Sequence, residues 1–379
     1  MSNTFVSFFS LDGDSIVSGP VPVDPFVPDS GNIFPKMVNQ INDAAWELWQ
    51  FDGLAANGKT AVTVSFYRDT RTLTEGGFHA ELNAIWPDGT SWGEKLFFEE
   101  SVITSEGDFS HTGKVHGVWK SDAASVTFRI AADLSVATLQ FSVPGRVTGT
   151  LELSSLSSRS DSRLPATDGA AKLGSSVHYI YPLGPCVSSA DLVFDAADDT
   201  NRRTLILKAE NGDRGGFVRG WSSLAWPHFM TDAYYMCGTA GPYMLQLIRI
   251  VSTAADDYKP SVVARLYHNT ELVCAANQIA GIGAPELQED AVVVEKVLDG
   301  ERGLKGAFRD KNVGYVIEFV KGDAGKKWRF ETRHKVAWWS DYTSDQGTGK
   351  SGFIEALFGG SQDGPKFEGF AGAGQLQLP

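Results

Sequence analysis

The sequence is poor in cysteine and has no excess of basic residues, and each shortage excludes a class of protein. The chain of 379 residues contains only three cysteines and no CxxC motif: Cys186, Cys237 and Cys274. Their number and spacing argue against a disulfide framework and a cysteine-ligated metal site, and they predict buried free thiols in the cytoplasm. Acidic residues outnumber basic ones by 46 to 33, and the net charge of −13 makes nucleic acids and anionic membranes poor partners.

Long apolar runs and familiar catalytic motifs are also missing. No apolar run approaches the roughly 18–20 residues that a membrane-spanning helix needs, and residues 1–14 lack the basic start of a signal peptide. The chain contains no GxSxG elbow, and the GTGKS stretch at 347–351 lacks the first glycine of a phosphate-binding loop. Sequence motifs therefore identify neither a nucleophile nor a metal site.

Short β-branched and aromatic runs occupy most of the chain and are separated by turns that contain glycine. Many of these runs alternate with period two, as at 61–67 and 136–143, which is typical of half-buried strands. The pattern predicts an all-β chain of antiparallel barrels or sandwiches. A cluster of glycines at 211–220 predicts a boundary between two domains, 1–216 with an extended Pro-rich arm and 217–379.

Aromatic residues are abundant, with 23 Phe, 10 Tyr and 10 Trp, and many stand next to polar residues. Such segments suit a pocket for a large, flexible and mostly apolar ligand. The densest is WELWQFD at 46–52, where a strand would place Glu47, Trp49 and Phe51 on one face. A carboxylate between two aromatic rings is costly to bury without a partner. Either this face lines a polar-tipped cavity, or Glu47 has a structural Arg or backbone partner. Asp52 is expected in a turn.

Other segments also combine aromatic and polar residues. In FHAELNAIW at 78–86, Asn83 belongs to a polar face that either is solvated or presents an amide to a ligand carbonyl. Lys350 is either a solvated lysine or a donor to a substrate carbonyl oxygen. Since crevices between domains are common ligand sites, further aromatic residues are candidates for substrate binding: Tyr179, Tyr181, Trp221, Trp226, Tyr235 and Trp339.

Taken in order, these segments resemble the fungal Diels–Alderase family, the pericyclases that close decalin and related rings in polyketide–amino-acid hybrids. The chain is more distantly similar to the carotenoid 1,2-hydratase group. The resemblance extends over most of the chain and is carried by WELWQFD at 46–52, AVTVSFYRD at 61–69, FHAELNAIWPDGT at 78–90, the aromatic cluster at 226–235 and GTGKSGFIEA at 347–356.

The resemblance implies a fold, a site and a set of residue roles. It implies two lipocalin-like β domains, a substrate pocket in or beside the N-terminal domain where the two domains meet, and neither a metal nor a redox cofactor. The catalytic residues that it implies are Lys350, Asn83 and Glu47. The implied substrate-binding residues are Tyr179 with Tyr181 as its alternative, Trp226 with Trp221 as its alternative, Tyr235 and Trp339. Trp49, on the same strand face as Glu47, is a further substrate-binding candidate from the sequence pattern.

The implied reaction is a stereoselective intramolecular [4+2] (Diels–Alder) cycloaddition of a linear polyene with a polar carbonyl headgroup, in secondary metabolism. A pocket that orders a flexible chain can lower such a barrier substantially, so a conspicuous catalytic motif is not required. Three alternatives stay open from the residues alone. They are a hetero-Diels–Alderase that joins a terpenoid to a quinone methide-like partner, an isoprenoid hydratase or isomerase with Glu47 or Glu355 as the acid, and a non-catalytic carrier of hydrophobic ligands. The oligomeric state is not predicted.

Overall fold

A computed structural model describes most of the chain, and the described part consists mainly of β-strands. One short helix, α1 (Asp168–Ala171), begins after Thr167, whose hydroxyl accepts a hydrogen bond from the backbone N–H of Ala170. Among the described residues, no helix is long and apolar enough to cross a membrane. The described residues are 3–70, 77–156, 164–195, 202–280, 288–298, 312–322, 325–344 and 348–378.

The first part of the chain forms a sheet of 15 strands that closes almost completely into a barrel, here called the first barrel. In chain order its strands are β1 (Asn3–Ser10), β2 (Trp46–Leu54), β3 (Ala61–Asp69), β4 (Phe78–Ile85), β5 (Ser91–Phe98), β6 (Glu100–Gly107), β7 (Lys114–Ser121), β8 (Ala124–Ile130), β9 (Val136–Val143), β10 (Val147–Ser155), β11 (Lys172–Leu173), β12 (Val177–Ile180), β13 (Cys186–Phe194), β14 (Arg203–Leu207) and β15 (Arg214–Ser222). Hydrogen bonds join them in the order β1-β6-β7-β8-β9-β10-β13-β15-β2-β3-β4-β5, with β11 beside β12, β12 beside β15 and β14 beside β13.

The rest of the described chain forms a second antiparallel sheet of nine strands. These strands are β16 (Asp232–Ala240), β17 (Tyr243–Val251), β18 (Pro260–His268), β19 (Glu271–Ala276), β20 (Ala291–Leu298), β21 (Asn312–Val320), β22 (Lys327–Ser344), β23 (Thr348–Ser361) and β24 (Phe367–Gln377). They pair in the order β19-β18-β17-β16-β24-β23-β22-β21-β20. The last strand of the second sheet, β24, therefore pairs with its first strand, β16.

The strands that touch the second sheet are buried differently from the others. β9 alternates between buried and more exposed residues over most of its length, as a strand with one solvated face does. β2 and β4 are buried almost throughout. Trp49 and Phe51 of β2 belong to the core of the first barrel, whereas Trp46 and Leu48 pack with Phe229 beyond it. One face of each of these strands thus packs into the barrel core, and the other face lies toward the second sheet.

A buried ion pair fills the interior of the first barrel near Trp49. Arg219 Nη2 lies 2.7 Å from Glu47 Oε1, and both side chains have 0% exposure. Glu47 also accepts a hydrogen bond from the backbone N–H of Lys36 at 2.6 Å, and the Arg219 guanidinium lies 4.1 Å from the centre of the Trp49 ring. Of the two interpretations left open by the sequence, the structure shows the structural one: Glu47 has an arginine partner and a backbone partner inside the barrel.

The division between the two sheets lies further along the chain than the boundary predicted at 216/217. β15 crosses that position and pairs with β2 along its whole length, so the first sheet extends to Ser222 and the second begins at Asp232. Three of the clustered glycines, Gly215, Gly216 and Gly220, belong to this strand, and Gly212 lies in the turn before it. A Cβ on Gly215 would lie 2.3 Å from the carbonyl oxygen of Asp52, and one on Gly216 would lie 3.0 Å from Cys237 Sγ. Close packing therefore requires glycine at positions 215 and 216.

Replacing Arg219 with Met should leave the Glu47 carboxylate buried without its ionic partner. We expect the free energy of unfolding, measured by urea denaturation, to fall by about 3–5 kcal/mol. Arg329→Met is the matched control, because Arg329 pairs with Glu331 at 3.4 Å on the surface, where such pairs contribute about 0–1 kcal/mol. A loss no larger than that of the control would contradict the structural role of the Arg219–Glu47 pair.

Candidate active site

A cavity of about 420 Å³ lies between the first barrel and the second sheet. Its volume is within the range of small-molecule sites, about 300–1,000 Å³. The first barrel contributes the outer faces of β2, β3 and β4, together with Lys95 and Tyr179, and the second sheet contributes residues of β16, β17, β22, β23 and β24. The connection between the sheets adds Trp226, Pro227 and Met230. The cavity therefore exists only where the two sheets meet.

β4 shows how alternation places polar groups in this cavity. Phe78, Ala80 and Leu82 point into the core of the first barrel, so His79, Glu81 and Asn83 point outward. The sequence left two interpretations of this polar face, a solvated surface or a ligand-binding lining. The structure places it outside the barrel but beneath the second sheet, and all three residues line the cavity.

An ion pair across the two sheets forms the polar wall of the cavity. Lys350 Nζ of β23 lies 2.7 Å from Oε1 and 2.5 Å from Oε2 of Glu81, and 3.8 Å from Asp341 of β22. Burial alone raises the pKa of Glu81, but the Lys350 charge and its hydrogen bonds outweigh this and hold that pKa below its usual value. Burial lowers the pKa of Lys350, yet the Glu81 charge produces a net increase. Both groups are therefore charged at neutral pH.

Next to Glu81 on this wall, Asn83 adds an amide. Its Nδ2 donates to Glu81 Oε1 at 3.4 Å, and a Cβ on Gly93 of the neighbouring strand would lie only 2.5 Å from Asn83 Oδ1. Gly93 thus leaves the space that the amide occupies. The Trp339 ring also lies here, with its centre 5.7 Å from Lys350 Nζ. The polar wall can accordingly offer N–H donors and a full positive charge to a ligand carbonyl oxygen.

Aromatic and aliphatic side chains form the apolar wall of the cavity. Trp226 stacks on Trp46 with 4.2 Å between ring centres, and the indole N–H of Trp46 donates to the Leu224 carbonyl at 2.9 Å. Met230 and Ile248 belong to the same apolar cluster and line the cavity. Burial, assisted by neighbouring groups that include Asp52, raises the pKa of Tyr179 well above its usual value, so the phenol is neutral. This wall suits the hydrocarbon part of a ligand.

The structure brings six of the ten predicted site residues together around the cavity and places four elsewhere. The six that line it are Asn83, Tyr179, Trp226, Tyr235, Trp339 and Lys350. Glu47 and Trp49 lie in the interior of the first barrel, on the opposite face of β2 from Leu48 and Gln50. Tyr181 is buried beside Tyr179, with 5.7 Å between ring centres. Trp221 stacks on His178 at 4.5 Å, outside the cavity lining.

Several polar lining residues were missed in the sequence. Gln50 of β2, Ser65 and Asp69 of β3, and Glu81 of β4 all line the cavity. Period-two alternation was the available signal, because each lies on the strand face opposite to the core residues. Asp52, expected in a turn, is a buried residue of β2. It accepts a hydrogen bond from Tyr235 across the two sheets.

The stability of the protein should depend on pH through Asp52. Burial, opposed by hydrogen bonds from Thr63 and Gln50, raises the pKa of Asp52 to about 7, from an ordinary value of about 3.9. Among its titratable neighbours, Tyr179 and Cys237 have raised pKa values, caused first by burial and then by the Asp52 charge. Since the folded pKa is raised, the stabilising contribution of the protonated carboxyl is complete below about pH 4 and is lost as the pH rises through about 7.

Asp52→Asn removes this titration. We expect the stability of the wild type relative to Asp52→Asn to fall between about pH 4 and pH 8, by up to about 1.4 kcal/mol per pH unit. Urea denaturation of both proteins at several pH values measures this difference, and the titration of all other groups cancels in it. A difference that is constant over this range would contradict the raised pKa.

Comparisons with known proteins agree with this architecture. The family model described as Diels-Alderase-like matches residues 2–379. A relative named Diels-Alderase gNR600 from Fungal sp. (strain NRRL 50135) is 52% identical over 100% of both chains. The Diels-Alderase phm7 of Pyrenochaetopsis sp is 44% identical over 99% of this chain and 98% of its own length. The crystal structure of CghA with Sch210972 is similar with a TM-score of 0.91 and 36% identity, covering 99% of each chain.

These matches confirm three predictions made from the sequence: the family resemblance, the all-β fold and a cyclase of the Diels–Alder type. A small-molecule substrate agrees with the ligand present in the crystal structure of CghA. The chain belongs to the Diels-Alderase-like family, and its activity is that of a Diels–Alder pericyclase.

Proposed function

We propose that the cavity folds a linear polyene with a polar carbonyl headgroup and directs a stereoselective intramolecular [4+2] cycloaddition in secondary metabolism. The observation that supports this proposal is the division of one cavity into two walls. The apolar wall around Trp226 and Met230 fits the hydrocarbon chain, and the polar wall around Lys350 and Glu81 fits the headgroup. A substrate bound to both walls would be held at one end and bent along its length.

The reaction places few chemical demands on the protein. In a [4+2] cycloaddition, the two double bonds of the diene and one π bond of the dienophile are replaced by two new carbon–carbon single bonds and one new double bond. No proton moves to or from the enzyme. The main obstacle is the ordering of a flexible chain so that the reacting carbons meet. Well-oriented intramolecular reactions gain several kcal/mol from such ordering, and a shaped cavity can supply it before the reaction begins.

Lys350 can add an electrostatic contribution through the headgroup carbonyl. An ammonium group has three N–H donors, and its raised pKa in the presence of Glu81 keeps it charged. A hydrogen bond from Lys350 to a carbonyl conjugated with the dienophile withdraws electron density and lowers the energy of the acceptor orbital. Only the part of this interaction that strengthens in the transition state raises the rate. Asn83, beside Glu81, is placed to hydrogen bond to the same headgroup.

Two structural observations disfavour the hydratase alternative. That reaction needs a carboxylic acid that can reach an alkene. Glu47 is enclosed in the first barrel with Arg219. Glu355 accepts a hydrogen bond from Tyr234 at 2.6 Å and lies 3.0 Å from His334, and it is absent from the cavity lining.

We also propose a cytoplasmic location, on the basis of the cysteines. Cys186, Cys237 and Cys274 are all buried and reduced. Burial raises the pKa of Cys237 well above its usual value, so this thiol is unreactive toward oxidation. The arrangement matches a protein that folds and works in a reducing compartment.

Replacing Lys350 with Met should lower kcat/KM for a linear polyene that carries a conjugated carbonyl headgroup by about 10- to 100-fold, as expected for the loss of one charged donor. Product formation is followed by chromatography against the uncatalysed reaction. Lys259→Met is the matched control, because Lys259 forms an exposed ion pair with Asp256. Wild-type turnover by Lys350→Met would show that this lysine does not contact the reacting headgroup.

Replacing Trp226 with Ala should enlarge the cavity at its apolar wall, so that the polyene substrate is no longer held in one folded conformation. We expect a lower rate and a product ratio closer to that of the uncatalysed reaction, with about a tenfold loss of kcat/KM. Trp92→Ala serves as the control, because Trp92 packs against the core of the first barrel and is not part of the cavity lining. An unchanged rate and product ratio in Trp226→Ala would make Trp226 a purely structural residue.

A further inference from the structure

Three side chains that line the cavity form hydrogen bonds to the carboxylate of Asp52, which is not itself part of the cavity lining. Thr63 Oγ1 of β3 donates to Asp52 Oδ1 at 2.9 Å. The amide Nε2 of Gln50 lies 3.2 Å from Oδ1 and 3.3 Å from Oδ2 of the same residue. The hydroxyl of Tyr235, on β16 of the second sheet, donates to Asp52 Oδ2. Gln50, Thr63 and Tyr235 all line the cavity, whereas Asp52 lies behind them.

The space around Asp52 leaves its carboxylate little freedom. The residue is 7% exposed, and behind it lies a narrow void of about 20 Å³ whose lining includes Cys237, Trp338 and Phe370. A void of this size holds at most about one water molecule. The carboxylate is therefore confined between the cavity wall on one side and packed side chains on the other.

We propose that Asp52 is a positioning residue that holds Gln50, Thr63 and Tyr235 in one arrangement and thereby sets the cavity shape that selects the stereochemistry of the product. This inference rests on the proposed function of the cavity. Asp52 acts through its neighbours, and the substrate touches only the groups that it fixes.

Asp52 limits the movement of the side chains that form this part of the cavity wall. Tyr235 is half-buried, and a tyrosine hydroxyl that is removed from water without an acceptor carries a desolvation cost. Without Asp52, Tyr235 would have to turn toward the cavity or find another partner, and Gln50 would lose the group that orients its amide. Both changes alter the space available to a folded polyene. Because two diastereomeric transition states differ mainly in shape, a change in the wall alters their ratio more than the binding of the linear substrate.

The contact also connects the two sheets. Gln50 and Thr63 belong to the first barrel, and Tyr235 belongs to the second sheet. A carboxylate shared by all three fixes the distance across this part of the cavity. The selection of one folded conformer therefore depends on a contact that neither sheet can make alone.

The test compares Asp52→Ala, Asp52→Asn, Tyr235→Phe and the double variant Asp52→Ala/Tyr235→Phe. The product diastereomer ratio, kcat and KM are measured with a linear polyene that carries a conjugated carbonyl headgroup. We expect Asp52→Ala and Tyr235→Phe each to change the ratio at least about fivefold while KM changes less than about twofold. In the double variant, the product ratio should differ from that of the wild type no more than in the more affected single variant. Each single substitution already removes the same hydrogen bond between Tyr235 and Asp52. Asp52→Asn should restore most of the wild-type ratio, because its amide oxygen can accept from Tyr235.

Asp213→Asn is the control for a purely structural effect. Asp213 is 4% exposed and accepts hydrogen bonds from the backbone N–H groups of Ala56 and Lys208, away from the cavity lining. It should lower the thermal stability and leave the product ratio unchanged. If Asp52→Ala lowers stability in the same way but keeps the wild-type ratio, the inference is overturned.

If Asp52→Ala fails to fold, Tyr235→Phe still tests the proposal, because it removes one hydroxyl and leaves the ring in place. A wild-type product ratio in Tyr235→Phe would then overturn the inference.

Two further outcomes separate this inference from the proposed function. A wild-type protein whose rate and ratio equal those of the uncatalysed reaction would overturn both the proposed function and the inference. A selective wild type with unchanged ratios in all Asp52 and Tyr235 variants would overturn the inference alone.

Discussion

The site depends on one packing contact, in which the second sheet covers the outer face of β2, β3 and β4. A strand directs alternate side chains to opposite faces, so these three strands complete the core of the first barrel and line the cavity at the same time. Residues such as Asn83 and Glu81 would face solvent if the second sheet were absent. The contact removes them from water and places Lys350, Trp339 and Tyr235 opposite them. Either sheet alone would offer only half of the cavity lining.

The ion pairs Arg219–Glu47 and Lys350–Glu81 have different surroundings. Arg219 and Glu47 are sealed inside the first barrel, with backbone hydrogen bonds to both partners. Lys350 and Glu81 lie instead at the wall of the cavity, where the lysine side chain keeps 26% of its exposure. Ion pairs removed from water contribute little net stability. A pair that meets the cavity is therefore better suited to holding a charge ready for a ligand than to stabilising the fold.

The sequence predicted the strands and their alternation well, but it could not show what covers each face. The WELWQFD strand was read with the right two faces, yet Glu47 proved to face the barrel core, and Gln50 and Asp52 face the second sheet. Nothing in a local pattern distinguishes a barrel interior from a sheet interface, since both are buried. The Lys350–Glu81 pair joins residues 269 positions apart, a pairing that only the packing of the sheets determines. The glycines of β15 also show that a glycine cluster has two meanings in a sequence, because close packing and turns favour the same residue.

The most direct test of this account is a crystal structure with the cyclised product or a stable polyene analogue bound. We expect a ligand between the two sheets, with its hydrocarbon part against Trp226 and Met230 and its carbonyl oxygen about 3 Å from Lys350 Nζ. A ligand bound inside the first barrel, or one between the sheets whose carbonyl points away from Lys350 and Asn83, would contradict it.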